Sequence, residues 1–76
     1  MSVRTEHYDG TEMSLIAHKI HEIEDALKAK ESVGWNLWHD PELPERLGRV
    51  VLEQMQRRKY VVYAEGDGTV SISRKP

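Results

Sequence analysis

The chain has 76 residues, no cysteine and a formal net charge of −2, with 38% hydrophobic and 32% charged residues. A chain of this length forms one small domain, and without cysteine it has neither disulfides nor thiolate metal sites to stabilise it. It contains no apolar run long enough to cross a membrane and no signal-peptide pattern, so we expect a cytoplasmic protein. The modest apolar content favours an additional contact with a second copy or with a partner protein.

Charge is distributed unevenly along the chain. Residues 1–38 carry four cations against seven anions, whereas residues 46–76 carry seven cations against three anions, a net charge of +4. A basic half of this kind can meet an acidic protein surface or nucleic acid.

We expect residues 1–10, which show no hydrophobic period, to form a flexible N-terminal arm in front of a single small domain, residues 11–76. A first helix is predicted to begin with Thr11 as its N-cap and to end near Val33-Gly34. Its apolar residues recur at intervals of three and four and form a narrow strip: Met13, Ile16, Ile20, Ile23 and Leu27. Such a strip is typical of packing within the chain or of a helix-to-helix interface with a second copy or another protein.

Two tryptophans, Trp35 and Trp38, lie in the segment between the predicted helices. Asp40-Pro41 is suited to begin the second helix, although Pro44 could move the start to Glu45. The exposed face of this helix is mixed in sign: Arg46, Arg49, Glu53 and Gln56. In a chain without phenylalanine the two indoles can cover a small core, or one can be exposed as an interface anchor. Both hold if one ring points inward and the other outward.

A β-hairpin is predicted after the second helix. Two alternating runs, Tyr60–Glu65 and Thr69–Arg74, flank Gly66-Asp67-Gly68. Asp-Gly between such runs favours a type I′ turn, in which both central residues have positive φ. The predicted fold class is therefore α+β, with two helices followed by a C-terminal antiparallel β-hairpin (ααββ).

Residues of the kind that catalysis requires are scarce. The sequence has no cysteine nucleophile, no Gly-x-Ser-x-Gly motif and no glycine-rich loop before a helix. We expect no enzymatic activity and no cofactor, since a chain this small has little volume to enclose a substrate. His18 and His21 lie three residues apart on the first helix, but a metal would need two further ligands, and we expect both histidines to be solvated.

Cations cluster where the second helix meets the hairpin. Antiparallel pairing brings Arg57-Arg58-Lys59 beside Arg74-Lys75, and we call these five residues the basic corner. The run Val51-Leu52-Glu53-Gln54-Met55-Gln56-Arg57-Arg58-Lys59-Tyr60-Val61-Val62 resembles the passage from recognition helix to wing in winged-helix DNA-binding domains. The resemblance implies a winged-helix-like fold and DNA binding through the basic C-terminal half. The wing tip, Glu65 to Gly68, departs from the family because it is acidic where a phosphate contact would favour Lys or Arg.

Two functions are compatible with these patterns. The first is a small non-enzymatic regulatory or adaptor protein that binds another protein, with a homodimer as one form of that binding. The second is a winged-helix-like DNA-binding protein. Because Trp and Arg are enriched at the energetic centres of interfaces, we expect a partner to contact some of the following residues: Trp35, Trp38, Arg46, Arg49, Arg57, Arg58 and Lys59. Neither a membrane nor a small-molecule substrate is implied.

Overall fold

The computed structural model describes residues 9–75, which form two helices and one three-stranded antiparallel sheet. The elements in chain order are α1 (Gly10–Ala29), β1 (Ser32–Asn36), α2 (Glu45–Arg57), β2 (Val61–Ala64) and β3 (Thr69–Ser73). The α+β class, with two helices and a C-terminal hairpin, is confirmed, and one strand is added between the helices. Residues 1–8, most of the predicted arm, lie outside the described residues.

α1 begins earlier than predicted because Asp9, not Thr11, is its N-cap. The Asp9 carboxylate accepts a hydrogen bond from the Glu12 amide (2.8 Å), and the Glu12 carboxylate accepts one from the Asp9 amide (3.2 Å). This reciprocal capping box satisfies two amides that the start of a helix leaves unpaired. Asp9 and Gly10, which were expected to belong to the arm, instead cap and begin α1.

The narrow apolar strip of α1 is internal to the chain. Ile16, Ile20, Ile23 and Leu27 are buried, with at most 6% of their surface exposed. They belong to the same core cluster as the apolar face of α2 and the inner side chains of the sheet. Since its own chain covers the strip, α1 does not offer this face to a second copy.

β1 is the element that the sequence analysis did not predict. α1 is capped at Lys30, whose backbone is extended, so the predicted helix end at Val33-Gly34 is wrong. Residues 32–36 instead pair with β3, with Trp35 opposite Val70. Apolar and small polar residues alternate along this stretch, which is the period of a strand with one buried face.

α2 begins at Glu45, as Pro44 allowed, and not at Asp40-Pro41. The residue before a proline is disfavoured in the helical conformation, so Pro44 stops the helix from extending towards its predicted start. The Pro44 carbonyl accepts hydrogen bonds from the Leu47 and Gly48 amides, both at 2.9 Å. In the described part of the chain neither helix is both long and apolar enough to cross a membrane.

β2 and β3 form the predicted hairpin, but its turn is not type I′. Positive φ values occur at Gly66 (88°) and Gly68 (92°), and Asp67 between them has none. The Asp67 carboxylate accepts a hydrogen bond from the Thr69 amide (2.9 Å), and the Glu65 amide donates to the Thr69 carbonyl (3.0 Å). The turn is therefore a three-residue loop that uses the conformational freedom of both glycines.

The two faces of the sheet differ in chemistry. The strand order is β1-β3-β2, so β1 and β2 are both edges. On the inner face Val70 and Ile72 of β3 are fully buried beneath the helices. The outer face carries small polar side chains from β1 and β3, together with two exposed side chains of β2, Val61 and Tyr63.

Candidate protein-binding surface

Trp35 lies in the core, with 8% of its surface exposed. Its indole Nε1 donates a hydrogen bond to Asp40 Oδ2 (2.8 Å), and Lys19 Nζ lies 3.2 Å from the same oxygen and 4.8 Å from the centre of the ring. One carboxylate thus ties α1, β1 and the segment before α2 together. Trp35 has a structural role here and leaves Trp38 as the tryptophan that a partner can reach.

The pKa of the Asp40 carboxyl is set by causes that act in opposite directions. Burial would raise the pKa of the Asp40 carboxyl. Hydrogen bonds from the Glu42 amide and the Trp35 indole, together with the charge of Lys19, outweigh burial and hold the pKa below its ordinary value of 3.8. The carboxylate is therefore more stable in the folded chain than in the unfolded chain.

Trp38 is exposed and yet held in place. About half of its surface, 52%, is open to solvent. Its ring lies against the backbone of Gly68, so closely that a Cβ there would stand 2.7 Å from Trp38 Cδ2. The Trp38 amide donates to Asn36 Oδ1 (3.0 Å), and the neighbouring Leu37 amide donates to the Gly68 carbonyl (2.8 Å). The hairpin turn therefore supports one side of the indole and leaves the other available.

The first half of α2 lies next to this tryptophan segment. Gly48 has no side chain, and a Cβ at that position would stand 2.5 Å from Leu37 Cδ2. Leu37, which precedes Trp38, therefore contacts Gly48, which precedes Arg49. Leu37 and Gly48 both face the core, and their contact brings the backbone at Trp38 next to the first half of α2.

Both arginines of this half of α2 already contact carboxylates. Arg46 Nη2 donates to Glu12 of α1, and Arg49 Nε donates to Glu45 one turn earlier in α2 (3.1 Å). These pairs are exposed, and exposed pairs contribute only about 0–1 kcal/mol to stability. A partner carboxylate can therefore replace Glu45 on Arg49 at small cost.

The basic corner is only partly free. Arg58 contacts Glu24 of α1 (3.4 Å), and the Tyr60 hydroxyl donates to the same carboxylate (3.2 Å). Burial, followed by the charge of Glu24, raises the pKa of Tyr60 above its ordinary value. Four cations of the basic corner have no recorded ion pair within residues 9–75: Arg57, Lys59, Arg74 and Lys75.

The expected partner-binding residues do not form one patch. Trp38 lies beside Gly68 at the turn of the hairpin, whereas the basic corner lies at its open end. The five residues of β3 lie between Gly68 and Arg74. Extended chain spans roughly 20 Å over this distance. We therefore treat the exposed residues among those expected as two candidate surfaces: the Trp38 surface (Trp38, Arg46 and Arg49) and the basic corner.

The histidines offer no metal centre in the part of the chain that the structure describes. His18, His21 and His39 are exposed. No group of three or more His, Cys, Asp or Glu side chains among residues 9–75 is placed to hold a metal ion. His7 lies outside those residues.

No family model, no curated protein and no solved structure matches this chain.

We expect Asp40→Asn to destabilise the domain at neutral pH and to reduce its sensitivity to acid. A lowered pKa in the folded state stabilises the fold above the unfolded pKa, near 3.8, and this stabilisation is lost as the pH falls through the folded value. The loss at neutral pH is about 1–3 kcal/mol, because asparagine keeps only one acceptor oxygen and lacks the negative charge that Lys19 contacts. Either the Glu42 amide or the Trp35 indole then loses its acceptor. Urea unfolding followed at neutral and at acidic pH measures both effects.

Asp25→Asn is the matched control for this variant, because Asp25 forms an exposed pair with Lys28. We expect it to change stability little at either pH. Equal losses for the two variants, or a loss for Asp40→Asn that persists in acid, would contradict the role assigned to Asp40.

We expect Gly68→Ala to displace the Trp38 ring and Gly66→Ala to leave it in place. Both glycines have positive φ, so each alanine adds about 1–2 kcal/mol of backbone strain. Only the Cβ at Gly68 meets Trp38, since nothing lies within 4 Å of the corresponding position at Gly66. Thermal melts should therefore show the larger loss for Gly68→Ala, and the indole N–H resonance of Trp38 should move only in that variant. Identical spectra for the two variants would contradict the contact.

Proposed function

We propose that this is a small, non-enzymatic, cytoplasmic regulatory or adaptor protein that acts by binding another protein. The observation that carries the proposal is Trp38, a large aromatic side chain that is half exposed and yet held against Gly68. A ring that is already fixed loses little conformational freedom when a partner binds. Aromatic anchors of this kind dominate the binding energy of many interfaces. The absence of cysteine suits a reducing compartment.

The charges around Trp38 indicate the chemistry of the partner. Arg46 and Arg49 are balanced by Glu12 and Glu45, so the Trp38 surface carries little net charge. A suitable partner supplies an apolar pocket for the indole and a carboxylate at the rim that takes Arg49 from Glu45. Such an interface depends mainly on buried apolar area and responds weakly to salt.

We expect Trp38→Ala to abolish partner capture without unfolding the domain. Truncating an interface anchor costs about 2 kcal/mol or more, which is about a 30-fold loss of affinity. The measurement is affinity capture from extracts of the source cell with mass spectrometry, followed by binding assays with the captured protein. Capture should be unchanged by nuclease.

His39→Ala is the matched control, because His39 is exposed and directly follows Trp38. It should retain both binding and melting temperature. Trp35→Ala should lower the melting temperature, since it empties part of the core and leaves Asp40 without its indole donor. If Trp38→Ala binds the captured protein as well as the unaltered chain does, Trp38 is not the anchor.

A second candidate is DNA binding, and the arrangement of the elements favours it. A helix, a basic junction and a hairpin follow one another, and a strand between the two helices completes the sheet in the order β1-β3-β2. Winged-helix domains likewise place a basic helix end before a two-stranded wing, but they have a short middle helix where residues 34–39 here form the end of β1 and a turn. The charges argue against it, because carboxylates meet Arg46 and Arg49 on the exposed face of α2, and the turn of the hairpin is acidic. DNA binding therefore ranks second.

We expect affinity for duplex DNA to be weak, independent of sequence and confined to low salt. Contacts to phosphate lose about 0.9 log units of affinity per log unit of salt for each phosphate neutralised. Replacing both Arg57 and Lys59 with Ala should remove this affinity for all sequences alike. Replacing both Lys28 and Lys30, which lie on and after the last turn of α1, is the control of equal charge. Tight, sequence-selective binding at physiological salt would instead make DNA binding the leading function.

A further inference from the structure

The edge formed by β2 is open in the described part of the chain. β2 pairs only with β3, and three of its four residues are exposed. The strand, Val61 to Ala64, contains only apolar, β-branched and aromatic residues. Proteins usually protect such an edge with charge, proline or a bulge, because its unpaired backbone groups accept another strand. This edge has none of those protections within the strand itself.

The hydrogen-bond pattern shows which backbone groups face outward. The Glu65 amide bonds to the Thr69 carbonyl, so the pairs in step with it, Val61 with Ser73 and Tyr63 with Ser71, are also hydrogen-bonded pairs. On the other side of β3, the Leu37 amide donates to the Gly68 carbonyl, so the pairs in step with it bond Val70 and Ile72 of β3 to β1. β3 thus uses alternate residues for its two neighbours, which agrees with the pairing to β2. The N–H and C=O groups of Val62 and Ala64 therefore point away from the sheet.

The ends of β2 carry opposite charges. Arg57 and Lys59 precede the strand, and Glu65 and Asp67 follow it. Within residues 9–75 none of these four side chains has a recorded ion pair. In an antiparallel pair of identical strands, the positive end of each copy lies beside the negative end of the other. The strand is therefore complementary to a second copy of itself, whereas parallel pairing would place like charges together.

We propose that two copies of this chain pair through their β2 strands, antiparallel, to form one six-stranded sheet across a two-fold axis. The outward groups of Val62 and Ala64 supply the hydrogen bonds. This inference rests on the proposed function, in which a homodimer is one form of protein binding, and it assigns that form a surface. The buried strip of α1 cannot serve as this interface.

The backbone hydrogen bonds select one register for the pairing. With Tyr63 opposite Tyr63 of the partner subunit, the outward groups of Val62 bond to those of the partner's Ala64, and this exchange occurs twice. In the alternative register, centred on Val62, Ala64 would lie opposite the partner's Tyr60, whose amide already donates to Met55 in its own chain.

Lys59 has a φ of 74° and lies in the turn that ends α2, so it is not a strand residue. In the favoured register Lys59 lies at the end of the paired strands where the partner's hairpin turns, next to Glu65 and Asp67 of the partner subunit.

Charge reversal tests the interface and its antiparallel orientation together. Lys59→Glu and Glu65→Lys each place like charges at both ends of the paired strands, so each variant alone should dimerise about tenfold more weakly or worse. Mixing the two variants restores both opposite-charge contacts and should restore the dimer as a heterodimer. Sedimentation equilibrium from low to high micromolar concentration measures all three samples. Because the mixture regains affinity, unfolding of a variant cannot account for the expected pattern.

Lys28→Glu and Asp25→Lys are the controls, since they make the same charge changes at exposed positions of α1. Each should dimerise as the unaltered chain does, and mixing should change nothing. An unaltered chain that is monomeric at every concentration overturns the proposal. Equal weakening by the controls also overturns it, as does a mixture that fails to recover.

Hydrogen exchange identifies what covers the edge. The Tyr63 amide, which bonds to β3, should be protected at every concentration, whereas the Val62 and Ala64 amides should become protected only as the dimer forms. Protection of all three that does not depend on concentration would mean that residues of the same chain cover the edge. A further outcome is that the chain stays monomeric and the edge is protected only when an extended segment of the protein captured through Trp38 is added. In that case the edge binds a different protein and not a second copy. Both outcomes overturn the proposal, and neither affects the test of Trp38→Ala.

Discussion

The close approach of α2 to β1 at Gly48 is the contact on which the rest of this small domain depends. Glycine inside a helix costs about 1 kcal/mol relative to alanine, but here the missing side chain admits Leu37 and the edge of the Trp35 ring against the helix backbone. That contact closes the core between α2 and the sheet. It also fixes the inter-helix segment, so that Trp35 points inward to Asp40 and Trp38 is left outside on the turn of the hairpin.

The parts of the fold that the sequence predicts are those set by local period. The strip on α1, the amphipathic face of α2 and the alternation of the hairpin each depend on residues close together in the chain. β1 was not predicted because its partner strand lies more than thirty residues away, as the pair Asn36 with Thr69 shows. The turn of the hairpin was predicted in place but not in type, because two glycines flank Asp67 and either can supply positive φ.

The candidate site was less predictable for the same reason. Trp35 and Trp38 are alike in sequence context, and only the pairing of β1 with β3 decides which ring is buried. The basic residues illustrate the point more strongly. Arg46 and Arg58 meet Glu12 and Glu24, each pair 34 residues apart, so the acidic first half of the chain neutralises part of the basic second half. Two of the seven cations in the basic half are therefore paired with the acidic half inside the domain.

The two proposed contacts, the Trp38 surface and the β2 edge, lie apart from one another. Trp38 lies at the turn of the hairpin, and antiparallel pairing of β2 makes the two turns point in opposite directions. A dimer built in this way presents its two Trp38 surfaces at opposite ends of the six-stranded sheet, and neither surface lies in the dimer interface. Two partners can then be held at once, and two linked sites bind a multivalent target far more tightly than either alone. In the function proposed above, the domain acts as a connector, which requires only a free strand edge and one fixed ring.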